Sequence, residues 1–405
     1  MRIAYIVPYV PNLIRTRPYN LINQLTSLGH EVTVFTLGSG QQDLIDVQAL
    51  RGHGCDVHYY VQPVWRSLLN SAAAVPSRKP LQSVYSWQRD MALQVAEGAS
   101  QNHFDIVHVE HLRGSRYGSF LKSRLPILPV VWDSVDCISH LFEQAANHSR
   151  SFFGKFMTRF ELTRTRRAEG DLACRFDHVL VTSPSDRNSL LGLVPSGKSP
   201  SEISVLPNGV DLEYFHPHTE IQRDVETIVF SGKMSYHANI SMVKYLVDEI
   251  MPRIWKLRPA ARLYIVGKDP SPAIRQLMQN PLITVTGTVD DIRPFLWRAT
   301  VSVVPLLYGV GIQNKILEAM ATGTPVVTTC RALSALQAQP GKDLFVSDDP
   351  DGFSQAVLQL IANRDLQQKT GDAGVTYIRT FHSWDSIASQ LVKIYQQIID
   401  RKRQP

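Results

Sequence analysis

The sequence predicts an α/β protein made of two doubly wound parallel-sheet domains, on three observations. Short apolar, β-branched runs alternate with helix-length segments along the whole chain, the pattern of strands covered on both faces by crossover helices. The runs fall into two series, separated by the turn-rich stretch Pro207-Asn-Gly-Val-Asp211 through Pro217 and by polar residues up to Glu226. A length of 405 residues also exceeds what one hydrophobic core organises.

In order, strands are expected over residues 3–7, 31–36, 57–60, 105–109, 128–132, 178–182 and 203–206. A second set follows over 227–230, 262–266, 283–286, 301–305, 326–329 and 344–346. These give a first domain over 1–205, a linker over 206–226 and a second domain over 227–380. The last segment, 381–405, carries a helix over about 386–400 with apolar Ile387, Leu391, Ile394, Tyr395 and Ile398.

Composition excludes several classes of protein. The chain is 44% apolar and 19% charged, ordinary for a globular protein. No apolar run approaches the ~18 residues of a membrane span, and the N-terminus enters a strand without the features of a signal peptide. Cys55, Cys137, Cys174 and Cys330 are scattered, with neither metal-like nor redox spacing. They fit reduced thiols in a cytoplasm. A net charge of +6 points to an anionic partner. With no zinc spacing, RNP-like motif or helix-turn-helix pattern, no nucleic acid is expected; phosphorylated substrates or anionic lipid rank ahead of it.

The most informative stretch is 310–329. An apolar strand runs through a glycine-flanked turn, Tyr308-Gly-Val-Gly311, into a helix over about 312–322. Gly323 is the expected left-handed stop and Pro325 blocks continuation. Lys315 lies in the first turn, where the helix dipole disfavours a cation, and Glu318 follows on the same face in the less favourable order. One reading is a surface ion pair contributing roughly 0.2–0.5 kcal/mol. The other is a lysine that neutralises a bound anion while the glutamate accepts hydrogen bonds from hydroxyls. The glycine turn after a strand, a natural seat for phosphate, favours the second.

From Glu318 to Val327 the chain reads Glu-Ala-Met-Ala-Thr-Gly-Thr-Pro-Val-Val. This resembles the second half of the Glu-x7-Glu signature of the large retaining GT-B glycosyltransferase family, often called group 1 or GT4. Pro207 through Pro217 is similar to that family's linker motif, and Phe381-His-Ser-Trp384 to the segment from which its last helix crosses back to the first domain. The resemblance implies two Rossmann-like domains, the first for an acceptor and the second for a nucleotide sugar, around an interdomain cleft. It departs at the first glutamate, whose position is Val310.

By position, the resemblance gives Glu318 the donor ribose and Lys233, in Ser231-Gly-Lys233, the donor diphosphate. The family's second lysine falls where this chain has Ala238 and Asn239, so Lys315 and the backbone of Gly311 and Ile312 are expected to complete the diphosphate site. Contact with the donor sugar, left open at Val310, passes to the backbone there or to Gln313 and Asn314. The turn Gly287-Thr-Val-Asp290 brings the backbone of Thr288 and Val289 to the base.

In the first domain, Arg15 and Arg17 precede a helix whose dipole they oppose. They fit either a docked anionic acceptor or donor phosphate, or an ordinary basic loop. The fourth strand runs into His108-Val-Glu-His111, and the family places a histidine near the donor's anomeric carbon here. Glu110 or His111 is expected to orient the acceptor hydroxyl or accept its proton, with His108 in the core. Asp133 and Asp136 read as a helix cap rather than a metal site. Residues 152–167 combine Phe152, Phe153, Phe156, Met157 and Phe160 with five cations, and fit core packing or an anionic membrane.

The reading is a cytoplasmic glycosyltransferase, peripheral at the inner face of the membrane in one version, that moves a sugar from a UDP- or GDP-linked donor to a glycan, lipid-linked or small-molecule hydroxyl. Retention of configuration rests on the resemblance, and no metal or other cofactor is expected. Two alternatives stay open: a GT-B epimerase of nucleotide sugars, and a degenerate binding or scaffold member.

Overall fold

A computed structural model of the chain describes residues 1–101, 103–148, 152–308 and 311–403, with side chains described at all of these except 144–148 and 152–158. Val310 therefore lies outside the described residues, as do the side chains of Phe152, Phe153, Phe156 and Met157. The chain divides into two units, Met1–Pro207 with Trp384–Pro405, and Asn208–Ser383.

In the first unit, β1 (Arg2–Val7), β2 (Glu31–Gly38), β3 (Asp56–Val61), β4 (Ile106–Glu110), β5 (Val130–Val135), β6 (His178–Val181) and β7 (Glu202–Val205) form a parallel sheet in the order β3-β2-β1-β4-β5-β6-β7. The chain leaves β1 towards β2 and β3, then returns to the other side of β1 with β4. That reversal opens a crevice at the carboxyl ends of β1 and β4. The final helix, Trp384–Arg403, buries Trp384, Ile387, Leu391, Tyr395 and Ile398 in the core that also holds Ile3, Tyr5, Leu21 and Leu25.

In the second unit, β8 (Thr227–Ser231), β9 (Arg262–Val266), β10 (Ile283–Gly287), β11 (Val301–Val304), β12 (Val326–Thr328) and β13 (Phe345–Val346) are parallel in the order β10-β9-β8-β11-β12-β13. The reversal here lies between β8 and β11. The loops ending in Lys233 and in Gly311 follow those two strands.

All the expected strands form, and the differences are informative. β5 runs on to Val135, past the expected end at Trp132. Asp133 can continue a buried strand because Arg17 neutralises it there. The helix expected over 312–322 is Asn314–Ala321, with Gln313 at its N-cap. Gly323 has φ 74° and closes the end: its N–H reaches Met320 O at 3.0 Å, and Thr324 N reaches Ala319 O at 2.9 Å.

The stretch read as a linker is packed on the second unit. Trp297 Nε1 donates to His216 O at 2.7 Å, and Arg223 donates to Ala299 O at 2.8 Å and to Gly323 O at 2.6 Å. Buried His382 holds the two chain crossings together, its Nδ1 on Asn208 O at 2.8 Å and its Nε2 on the Tyr377 hydroxyl at 3.0 Å. Among the described residues, no helix is long and apolar enough to cross a membrane.

Candidate active site

Each unit presents its own crevice at the carboxyl end of its sheet. In the second unit the loops after β8 and β9 touch backbone to backbone. Gly232 and Gly267 have φ of 149° and 145°, and a Cβ on Gly267 would lie 1.8 Å from Gly232 O. Only glycine permits that approach. Gly232 N also donates to Val266 O at 2.9 Å, so the loop that carries Lys233 is fixed. Lys233 itself is exposed, with Asp269 at 3.6 Å.

Lys315 and Glu318 meet at the head of the helix Asn314–Ala321. The Lys315 ammonium donates to Asn239 Oδ1 at 2.7 Å and lies 5.3 Å from the centre of the Phe230 ring. Asn239 is buried and its amide donates to Lys233 O at 2.9 Å, tying the lysine of one loop to the other. Burial pulls the Lys315 pKa down to about 8, against the attraction of Glu318. Burial likewise raises the Glu318 carboxyl above its ordinary value, with Lys315 opposing. Among the described residues, no donor lies within hydrogen-bond distance of that carboxylate. Both side chains remain partly accessible. A desolvated pair of opposite charges, one without donors, is not the surface ion pair of the plainer reading.

The rest of the expected donor site is spread over the same strand ends. Gly311, at φ 72°, turns the chain into buried Ile312 and half-buried Gln313 and Asn314. Thr288 is exposed and Val289 half-buried beyond β10. A stacked pair that sequence reasoning missed joins the chain after β8 to the chain after β11: His237 and Tyr308, with ring centres 5.6 Å apart and the tyrosine hydroxyl 3.0 Å from His237 Nδ1.

In the first unit, β1, β4 and β5 bring an ionisable cluster into register: Tyr5 pairs with His108, and Glu110 with Asp133. Glu110 is 1% exposed, and its two oxygens accept from the Tyr9 hydroxyl at 2.7 Å and the Tyr5 hydroxyl at 3.1 Å. Burial, then the charge of Asp133, raises its pKa to about 8. Enclosed between two tyrosine hydroxyls, the carboxyl holds its proton more tightly than an exposed one. His108 is buried as expected, its Nδ1 at 2.7 Å from the Tyr395 hydroxyl, and burial lowers its pKa to about 3.

His111 is half-buried and has φ 63°, a left-handed backbone that a residue with a side chain adopts at a cost. Burial lowers its pKa to about 4. Its Nδ1 accepts from Arg113 N at 3.3 Å, which leaves the proton of the neutral ring on Nε2. With its proton on Nε2 the neutral ring can still donate a hydrogen bond, as orienting a hydroxyl requires.

The two arginines after β1 separate. Arg17 is buried, with Nη2 2.8 Å and Nε 2.9 Å from Asp133 Oδ2 and Nη1 on Pro207 O at 3.1 Å. Its charge is already paired inside the fold. Arg15 is exposed and stacks 4.5 Å from the centre of the Tyr9 ring. Neither Asp133 nor Asp136 caps the following helix. Asp136 accepts from Thr182 Oγ1 at 3.1 Å, while buried Glu169 takes the N–H groups of Ile138 and Ser139 at 2.7 and 3.1 Å.

The Glu110 shift carries a pH signature. The folded chain keeps a proton that the unfolded chain loses above pH 4.5, so the stability Glu110 contributes is full below that value and lost as pH rises through about 8. Glu110→Gln does not titrate. Relative to the parent, its stability should climb on the order of 4 kcal/mol between about pH 5 and pH 8.5. Thermal denaturation at both pH values checks this, and a constant difference would contradict a protonated Glu110.

Comparison with known proteins adds a family. Residues 15–214 match Glycosyltransferase Family 4, and residues 225–363 match Glycosyl transferases group 1. The chain is 22% identical over 396 residues to the MMP alpha-(1->4)-mannosyltransferase of Mycolicibacterium hassiacum, covering 94% of each chain. It is 25% identical over 209 residues to the phosphatidyl-myo-inositol mannosyltransferase of Mycobacterium leprae, covering 49% of this chain and 54% of that one. Among solved structures, the Anabaena HepE protein in complex with UDP and glucose superimposes with a TM-score of 0.67 at 13% identity, covering 98% of this chain and 99% of that one. A glycosyltransferase from Rickettsia africae gives a TM-score of 0.69 at 15% identity, with 98% of each chain covered.

Proposed function

The chain belongs to the group 1 glycosyltransferases of family 4, and we propose that it transfers a sugar from a nucleoside-diphosphate donor to an acceptor hydroxyl with retention of configuration and without a metal. The observation that carries this reading is the Lys315–Glu318 pair at the switch point of the second sheet. The carboxylate is ready for the two ribose hydroxyls. The ammonium, Lys233 and the first free N–H groups of the helix face the diphosphate. As the bond between the anomeric carbon and the diphosphate breaks, its electron pair moves onto phosphate oxygen, and these groups stabilise the growing charge in place of a metal ion.

The acceptor oxygen then bonds to the anomeric carbon. With Glu110 protonated and His111 presenting an N–H, neither side chain takes the acceptor's proton at neutral pH; it passes to the departing phosphate. His111 donates to a sugar or acceptor oxygen, and Tyr9 and Arg15 flank the acceptor. The UDP in the HepE complex makes UDP the first choice of nucleotide, with GDP second. Four free thiols fit a cytoplasmic setting.

Incubation with UDP- and GDP-sugars and a panel of hydroxyl acceptors, read by mass spectrometry, tests the reaction. Glycosylated acceptor and free nucleoside diphosphate should appear in equal amounts, and His111→Ala should lower kcat by about 10²-fold with little change in donor affinity. A changed sugar with no acceptor consumed would mean epimerisation instead. No product and no nucleotide affinity would mean a scaffold.

A further inference from the structure

The helix Val64–Ala74 is inverted relative to a helix that packs only on its own protein. Its buried positions are the small residues Ser67 and Ala74, while Trp65, Leu68 and Leu69 are 62, 59 and 60% exposed. These three fall at i, i+3 and i+4, so they share one side. Val61 at the end of β3, Val64, and Val75 just past the helix are exposed as well. Scattered apolar residues are normal on a protein surface, but a tryptophan and two leucines side by side on one helix form a patch.

The helix is held firmly in place. Asn70 donates to Trp87 O at 3.0 Å, and the Arg164 guanidinium donates to Lys79 O at 3.2 Å and to the carbonyl of Val75. Within this stretch of chain the charge is of one sign, and an acid from another segment, Glu161, reaches it at Leu81, accepting from Leu81 N at 3.0 Å. From residue 57 to residue 89 the chain has no aspartate or glutamate, while Arg66 within the helix and Arg78 and Lys79 just beyond it are exposed.

We propose that the Val64–Ala74 helix is a docking surface for an anionic phospholipid bilayer. Trp65, Leu68 and Leu69 enter the boundary between headgroups and acyl chains, and Arg66, Arg78 and Lys79 meet lipid phosphates. A second copy of the chain fits less well. A two-fold contact would set these three cations against themselves, with no acid in the stretch to offset them. The surface adjoins the aromatic and basic segment 152–167 through Arg164, and none of its residues is among those expected to hold the donor.

Sedimentation of the full chain with sucrose-loaded vesicles, with neither nucleotide nor acceptor present, tests this apart from the transfer reaction. Vesicles of phosphatidylcholine with about one-third phosphatidylglycerol should bind the parent at least tenfold more tightly than phosphatidylcholine alone near physiological salt. The combined Trp65→Ser, Leu68→Ser and Leu69→Ser variant should lose at least tenfold in partition, with an unchanged melting temperature and unchanged nucleotide binding. The Arg66→Glu, Arg78→Glu and Lys79→Glu variant should lose the preference for anionic lipid. No partition of the parent, or equal partition of the serine variant, would overturn the proposal. So would a parent dimer in sedimentation velocity that the serine changes dissociate, since a second copy would then cover the face.

Discussion

Arg17→Met should lose about 3–5 kcal/mol of stability, because it leaves a carboxylate inside the first unit without its cation. Asp133 is fully buried, with Arg17 the guanidinium that holds it at 2.8 Å. The nearest other basic group is His108, 3.7 Å away and neutral, since burial lowers its pKa to about 3. Without Arg17 the acid must stay charged in the core or take up a proton. The deficit should therefore shrink on acidification, and Arg17→Met with Asp133→Asn should recover much of it. Urea denaturation at about pH 5.5 and pH 8 measures both effects. A loss below about 1 kcal/mol at pH 8 would show that the pair behaves as an exposed one. Nucleotide affinity of the folded variant should match the parent, because this arginine faces the core.

That pair shows where sequence reading stops. The strands of both sheets were legible because strands covered on both faces are continuous apolar runs, and the helix stop at Gly323 because a left-handed residue there favours glycine. The partner of Arg17 lies 116 residues away, in a strand whose apolar run ends one residue earlier, and no local pattern joins them. The same holds for Lys315 and Asn239, 76 residues apart. Lys315 and Glu318 stood out because their charges oppose helix rules, whereas Tyr9, Tyr308 and His237 gave no such signal. The protonation of Glu110 and His111 depends on burial and on a backbone donor, and neither is visible in residue type. Nothing in the residue types at Leu68 and Leu69 marks them as surface, and only their exposure does.

Lys315→Met should weaken nucleoside-diphosphate binding by about 10- to 100-fold, or about 1.4–2.8 kcal/mol. The lysine is desolvated before any ligand arrives, and a hydrogen bond to a charged group in such surroundings is stronger than one in water. Its lowered pKa also fixes a pH profile. A bound diphosphate raises that pKa again, so binding takes up a proton once the free lysine has lost its own. Parent affinity should be flat below about pH 7.5 and fall progressively above about pH 8. In Lys315→Met the affinity should be lower by that factor and the alkaline slope absent. Lys233 is exposed and paired with Asp269 at 3.6 Å, so its removal should cost less.

Calorimetric titration of UDP and GDP into the parent, Glu318→Ala and Lys315→Met, with a chelator present, tests the central claim most directly. The parent should bind one of the two without a metal, and each folded variant should bind it about 10- to 100-fold more weakly. Equal affinity in the parent and Glu318→Ala, or parent binding that appears only when a divalent cation replaces the chelator, would contradict the donor site described here.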